Sequence, residues 1–212
     1  MRQPLRPCTN TGEPMTATIL LLIGTSSAGK STLAKELQAI LPEHYLLLGL
    51  DDVFRMVSPR WGGGLAGPLS YQGFRYERAT ATATVSIRYG PIGHTILEGM
   101  HQAVAAFART GSNLIVDEML LEREILSAWA QALADYRTYL IKVQASLAML
   151  EEREAGRKNP RGLARGHYAA NDAPFYDRLV DTATMTPADA ALELAAWLAA
   201  NPEPAALQKY KK

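Results

Sequence analysis

Gly24-Thr25-Ser26-Ser27-Ala28-Gly29-Lys30-Ser31 is a complete G-x-x-x-x-G-K-[ST] phosphate-binding loop. The uncharged run Thr18-Ile19-Leu20-Leu21-Leu22-Ile23 precedes it, and from Lys30 to Leu41 the residues Leu33, Leu37, Ile40 and Leu41 recur at helical spacing. The loop therefore joins a buried strand to an amphipathic helix, and that context gives the pattern a mechanical meaning. Small residues let backbone N–H groups curl around phosphates, while the helix N-terminus turns its partial positive charge toward them. Gly24 to Ser31, with Thr32 beside them, are the expected nucleotide-binding residues. Lys30 is expected to bridge the β- and γ-phosphates of ATP, and Ser31 to hold a Mg2+ ion shared with them. A Gly/Ser-rich turn without a ligand is the alternative, and the full motif between strand and helix argues against it.

The chain has 212 residues, enough for one substantial α/β domain and short for two. With 22 basic and 21 acidic residues the formal charge is +1, so no global field recruits nucleic acid or an anionic membrane. Cys8 is the only cysteine, which excludes an intramolecular disulfide and fits a reducing cytoplasm. No apolar run approaches the roughly 20 residues that span a bilayer. Residues 1–17, with Pro4, Pro7, Gly12 and Pro14 and no apolar core, read as a flexible arm rather than a secretory signal.

Outward from the loop the pattern alternates between strand and helix. A second strand is expected over His44 to Leu50, ending at Asp51-Asp52, with a helix beginning near Val53. Residues 58–71 carry Pro59, Gly62, Gly63, Gly64, Gly67 and Pro68 and predict a loop able to cover a substrate. A hairpin over 74–89, a helix over 93–110 and a strand over 113–116 ending at Asp117-Glu118 follow. Further helices are expected over 122–134 and 146–154, with a strand over 136–143 between them. A short last strand at 179–181, a helix from Thr186 to Leu198 and a frayed polar tail over 201–212 complete the chain. The expected fold is α/β with a central parallel sheet flanked by helices, the P-loop NTPase arrangement of nucleotide kinases. One domain over 18–200 would carry an acceptor-covering insert at about 58–89 and an Arg-rich lid at about 153–166.

Between Lys30 and Asp51 lie 20 residues, enough for a helix, a turn and a parallel strand that returns Asp51 to the ligand-binding edge. A carboxylate there can take the proton of an acceptor hydroxyl in line with the γ-phosphate. Asp51 is the expected base, and Asp52 either competes for that role or caps the next helix. Asp117 ends the run Asn113-Leu114-Ile115-Val116 and is a candidate Mg2+ ligand with Ser31, or else a loop-fixing residue; Glu118 is an alternative acceptor carboxylate.

Arg153 and Arg157 are four apart, and Arg161 and Arg165 follow in a more flexible stretch. Guanidinium forks match phosphate oxygens, so Arg153 and Arg157 are expected to bind the nucleotide and assist transfer; a solvated basic helix end is the alternative. Trp61, Phe74, Tyr76, Tyr168, Phe175 and Tyr176 either pack on the acceptor or anchor the covering segments. His94, His101 and His167 lack metal-ligand spacing and receive no catalytic role.

Taken in order, these motifs resemble the chloramphenicol phosphotransferase family of P-loop kinases. The matching features are Gly24 to Ser31, Gly49-Leu50-Asp51, Val85-Ser86-Ile87 with Gly90-Pro91, and Leu97-Glu98-Gly99. Leu114-Ile115-Val116-Asp117, Arg153-Glu154-x-x-Arg157, Tyr176-Asp177 and Val180-Asp181-Thr182 continue the series, so the resemblance spans about 18–200. It implies transfer of the γ-phosphate of ATP to a hydroxyl of a small molecule, such as an antibiotic, with Asp51 at the position of the base. Other P-loop metabolite or nucleotide-sugar kinases use the same parts, and a nucleotide-binding regulator without an acceptor is a third class. A small hydroxylated acceptor is the expected partner, with neither nucleic acid nor a membrane.

Overall fold

The computed structural model describes residues 17–62, 67–157 and 159–211. Strands β1 (Thr18–Ile23), β2 (Tyr45–Gly49), β5 (Asn113–Glu118), β6 (Arg137–Gln144) and β7 (Arg178–Asp181) form a parallel sheet in the order β2-β5-β1-β6-β7. Every residue of β1 is buried, as its place in the middle of the sheet requires. Side chains alternate along it, so Ile19, Leu21 and Ile23 enter one core while Leu20 and Leu22 enter the other.

The first core is closed by α2 (Leu50–Met56), α3 (Pro91–Arg109), α4 (Ile125–Ala132) and the antiparallel hairpin of β3 (Phe74–Ala79) and β4 (Thr84–Tyr89). On the other face lie α1 (Lys30–Ile40), α5 (Leu147–Ala155) and α7 (Pro187–Ala200); the short α6 (Leu163–His167) runs beside β4. Register aligns Ile23 with Glu118 and Gly49 with Asp117, so the ends of β1, β2 and β5 come together at the carboxyl edge. That edge is where sheets of this kind hold ligands.

Several boundaries differ from the sequence expectation. Leu50 already belongs to α2, so Asp51 and Asp52 stand in the first turn of a helix and not at the end of a strand. The carboxylate of Asp52 accepts the Gly49 N–H at 2.8 Å, which satisfies one of the donors a helix start leaves free. The tail expected to fray is docked: Leu207 is buried in the first core, and Asp177 accepts the N–H groups of Ala205 and Ala206. Ala17, assigned to the flexible arm, is also buried, while the rest of that arm, 1–16, and part of the glycine-rich run, 63–66, lie outside the described residues. No helix among the described residues is long and apolar enough to cross a membrane.

Both buried histidines serve packing. His101 in α3 lies 4.2 Å from the Trp129 ring centre, and His167 Nε2 accepts the Ile87 N–H at 2.8 Å, pinning α6 to β4. Burial, with His94 nearby, pushes the pKa of His101 down to about 4 from 6.5. The folded state therefore holds it neutral while the unfolded chain protonates it. Below pH 6.5 the unfolded state binds the extra proton, and its contribution to stability is lost progressively until pH reaches about 4. His101→Phe is expected to flatten the stability profile in that window by about 1.4 kcal/mol per pH unit, the slope of one proton. Urea midpoints from pH 4.5 to 7.5 on both proteins measure it; parallel profiles would refute the assignment.

Candidate active site

Left-handed backbone shapes the phosphate loop. Gly29 has φ 93, and Ser27 has φ 65, a conformation a non-glycine residue holds only where the surroundings impose it. A Cβ on Gly24 would run into the Val143 carbonyl oxygen, so that position admits only hydrogen. The Ser27 hydroxyl is buried without a hydrogen-bond partner, an acceptable state where a phosphate is the missing partner.

Lys30, buried at the start of α1, donates to the Thr25 carbonyl at 3.2 Å and lies 3.6 Å from Asp117 Oδ1. Ser31 Oγ donates to the other oxygen of that carboxylate, Oδ2, at 2.5 Å. One hydroxyl and one carboxylate make an oxygen-only pair, which suits Mg2+, an ion usually held by one or two carboxylates together with substrate phosphates and water. Among the described residues no group of three or more His, Cys, Asp or Glu side chains converges. Ser31 and Asp117 are the side chains that could hold such an ion.

Alternation along β5 separates the adjacent carboxylates. Asp117 faces the loop, whereas Glu118 is 1% exposed and accepts the Trp129 indole N–H at 3.1 Å. Burial pushes its pKa up to about 7. Glu118 is thus a core residue, and the acceptor role considered for it does not hold.

Two compartments adjoin the loop. One, about 240 Å³, is lined by Ser27, Gly29, Thr32, Arg153, Thr182 and Pro187, among others. The second is lined by Lys30, Ser31, Asp117 and Asp51, with Leu50, Phe54, Tyr76, Ile87, Met119 and Leu163 as its less polar walls. Ser27 and Arg157 border both. Capping by Asp52 leaves the neighbouring Asp51 exposed in the second compartment. Burial and the Asp51 charge together raise the pKa of the Tyr76 phenol.

The four arginines divide. Arg157 reaches the junction of the compartments, whereas Arg153 donates to the Thr182 hydroxyl at 2.9 Å and its carbonyl at 2.8 Å. Of the two compartments, Arg153 lines only the first, whereas Arg157 borders both. Arg165 pairs with Glu151 at 2.7 Å, and both Arg161 and Arg165 face a different groove. The segment expected to be flexible is fastened where it enters α6. Buried Glu154 accepts the N–H groups of Gly162 at 2.6 Å and Ala164 at 2.8 Å, and the Thr25 hydroxyl donates to the Ala164 carbonyl at 2.7 Å. Sequence reasoning passed over Glu154, Thr25 and Thr182 in these tethering roles, although Arg153-Glu154 and Thr182 both stood in the quoted motifs. Of the six aromatic residues considered, Tyr76 alone borders the second compartment; Phe74 is core, and Phe175 meets Tyr210 edge-on.

Residues 17–199 match the family model described as chloramphenicol phosphotransferase-like protein. The chain belongs to this family. A Mycobacterium tuberculosis (strain H37Rv) protein named "Putative O-phosphotransferase" is 29% identical over 201 residues, covering 92% of this chain and 88% of that one. Among solved structures, a sugar kinase from Janibacter sp. superimposes with TM-score 0.60 at 14% identity, covering 92% of this chain and 99% of that one. The APS kinase of Mycobacterium tuberculosis, in complex with AMPPNP and APS, gives 0.59 at 16% identity, over 88% and 99%. Likeness at that identity establishes the fold of P-loop kinases. Family and fold together make this chloramphenicol phosphotransferase-like protein a P-loop phosphotransferase.

Proposed function

We propose that the chain transfers the γ-phosphate of ATP to a hydroxyl of a small molecule with a substantially apolar body. The observation that carries this reading is the pair of compartments that share Ser27 and Arg157, one lined by Gly29, Thr32 and Thr182 and one by Lys30, Asp117 and Asp51. The nucleoside would occupy the first, between Arg153 and Pro187, with its phosphates on the loop N–H groups and Lys30. The acceptor would lie against Phe54, Tyr76, Ile87 and Met119 with its hydroxyl toward Asp51.

Asp51 takes the hydroxyl proton as that oxygen attacks the γ-phosphorus; the bond to the β-γ bridging oxygen breaks and ADP leaves. Lys30 and Arg157 stabilise the negative charge that spreads over the migrating phosphoryl group. Mg2+, when held by Ser31 and Asp117, supplies charge neutralisation on the β- and γ-phosphates. A cytoplasmic setting, where ATP and Mg2+ are abundant, accords with this chemistry.

Incubation with γ-labelled ATP and a panel of hydroxylated antibiotics and metabolites, chloramphenicol first, tests the proposal. Label in an acceptor is the expected result; label released only as free phosphate across the panel would instead indicate a nucleotide-hydrolysing regulator. Because Arg153 holds Thr182 at the nucleoside side, Arg153→Ala is expected to raise KM for ATP about 3–10-fold with kcat nearly unchanged, the mark of lost uniform binding. A kcat that fell with KM constant would place Arg153 on the phosphoryl group instead.

A further inference from the structure

The largest cavity described, about 490 Å³, belongs to neither compartment of the active site. It lies between the tip of the β3-β4 hairpin and the segment joining α5 to α6, and no residue lining it lines the nucleotide or acceptor compartment. Ala79, Ala83, Val85 and Ala155 give it a small-residue lining, and Thr80 and Thr84 add hydroxyls.

Its charges do not cancel. Five charged residues line it: Arg78, Arg161, Arg165, Glu151 and Glu154. Arg165 and Glu151 pair with each other, and the Glu154 carboxylate is buried with an oxygen on each of two backbone N–H groups. Arg78, from the hairpin, and Arg161, from the α5-α6 segment, have no carboxylate partner among the described residues. Two exposed guanidinium groups from separate elements thus face one groove whose carboxylates are already engaged. Planar forks so arranged suit an anion that can accept from both sides.

The groove is also mechanically connected to the phosphate loop. Gly162, in its wall, adopts φ 94, and a Cβ there would approach the Ala83 carbonyl oxygen to 2.5 Å, so the two walls already touch at this point. Its carbonyl accepts the Val85 N–H at 2.9 Å, and two residues on, the Ala164 carbonyl accepts the Thr25 hydroxyl of the loop. We propose that this groove is a second ligand site, taking a small polyanion whose phosphate or carboxylate groups bridge Arg78 and Arg161 and brace the α5-α6 segment against the hairpin. Braced in this way, the segment keeps its hold on Thr25, and the phosphate loop binds nucleotide more tightly.

The test uses the full chain with its phosphate loop saturated by AMPPNP and Mg2+, titrated calorimetrically with pyrophosphate and, separately, citrate. One saturable site per chain is expected, weakened at least tenfold in the double variant Arg78→Ala/Arg161→Ala, whose substitutions are on the surface. Preference for pyrophosphate or for citrate identifies the phosphate or the carboxylate source. A reverse titration of AMPPNP at saturating citrate is expected to show severalfold tighter nucleotide binding than without it. Absence of a saturable site, or equal affinity in the double variant, would overturn the site; unchanged AMPPNP affinity would overturn the bracing. Neither readout requires phosphoryl transfer, so failure of the proposed kinase reaction leaves this test intact.

Discussion

Asp51→Asn is expected to lower kcat for acceptor phosphorylation by about 10²–10⁴-fold, the range general-base catalysis contributes, with AMPPNP affinity unchanged. The substitution keeps size and hydrogen-bonding shape but removes the basic lone pair. Asp51 touches neither the phosphate loop nor the Ser31–Asp117 pair by any hydrogen bond described, so donor binding has no reason to respond. Its neighbour offers an internal control. Asp52 caps α2 through the Gly49 N–H and pairs with Arg55, so Asp52→Asn is expected to cost stability rather than chemistry. Steady-state rates and nucleotide titrations on both variants separate the roles. Turnover within about threefold of wild type in Asp51→Asn would remove it as the base, since even weak base catalysis exceeds that factor.

Glu154→Ala is expected to cause the largest structural loss. The side chain is 2% exposed and both its oxygens accept backbone N–H groups at the start of α6. Removing it deletes two charge-assisted hydrogen bonds and strands their donors, a cost of about 3–6 kcal/mol if the rest of the fold stayed rigid. Local opening offers a cheaper outcome: α6 comes away from β4 before the central sheet unfolds. Hydrogen exchange should therefore lose protection across 162–167, while the β1 and β5 amides, in the centre of the sheet, stay protected. Glu154→Gln should rescue only partly, because its amide nitrogen cannot accept the second N–H. Wild-type protection of 162–167 in Glu154→Ala would show that the tether is dispensable.

The readings that succeeded from sequence drew on neighbours in the chain. The strand, loop and helix around Gly24 to Ser31 follow from the apolar run and the helical recurrence of Leu33 and Leu37, and each is present. The hairpin over 74–89 and the long helix ahead of Asn113 were legible for the same reason. The start of α2 was misplaced because Leu50 continues the apolar pattern of β2 while its backbone has already turned helical. Apolar content cannot mark that boundary; the Asp52 cap does. The tail was misread because Ala206, Leu207 and Tyr210 show no period in a short Pro- and Lys-containing stretch, and only the first core shows what they pack against.

The arginine-rich segment marks the limit more sharply. Local spacing put Arg153 and Arg157 on one face, but α5 ends at Ala155, and their assignments diverge through partners elsewhere. Thr182 claims Arg153, Glu151 claims Arg165, and Arg157 remains at the junction of the two compartments. Asp117 and Glu118 diverge likewise, because the pleat sends adjacent side chains to opposite faces and the fold decides which face is the cleft.

By itself, then, the sequence determined the phosphate loop, the alternation of strands and helices, and the family that their order implies. Those features arise from interactions a few residues apart, which periodicity and short motifs record directly. Tertiary structure alone decided which carboxylate faces the cleft, which arginine stands where the two compartments meet, and what fastens the α5-α6 segment. Ser31 meets Asp117 across 86 positions and Thr25 meets Ala164 across 139, and no local pattern carries a contact that only chain folding creates.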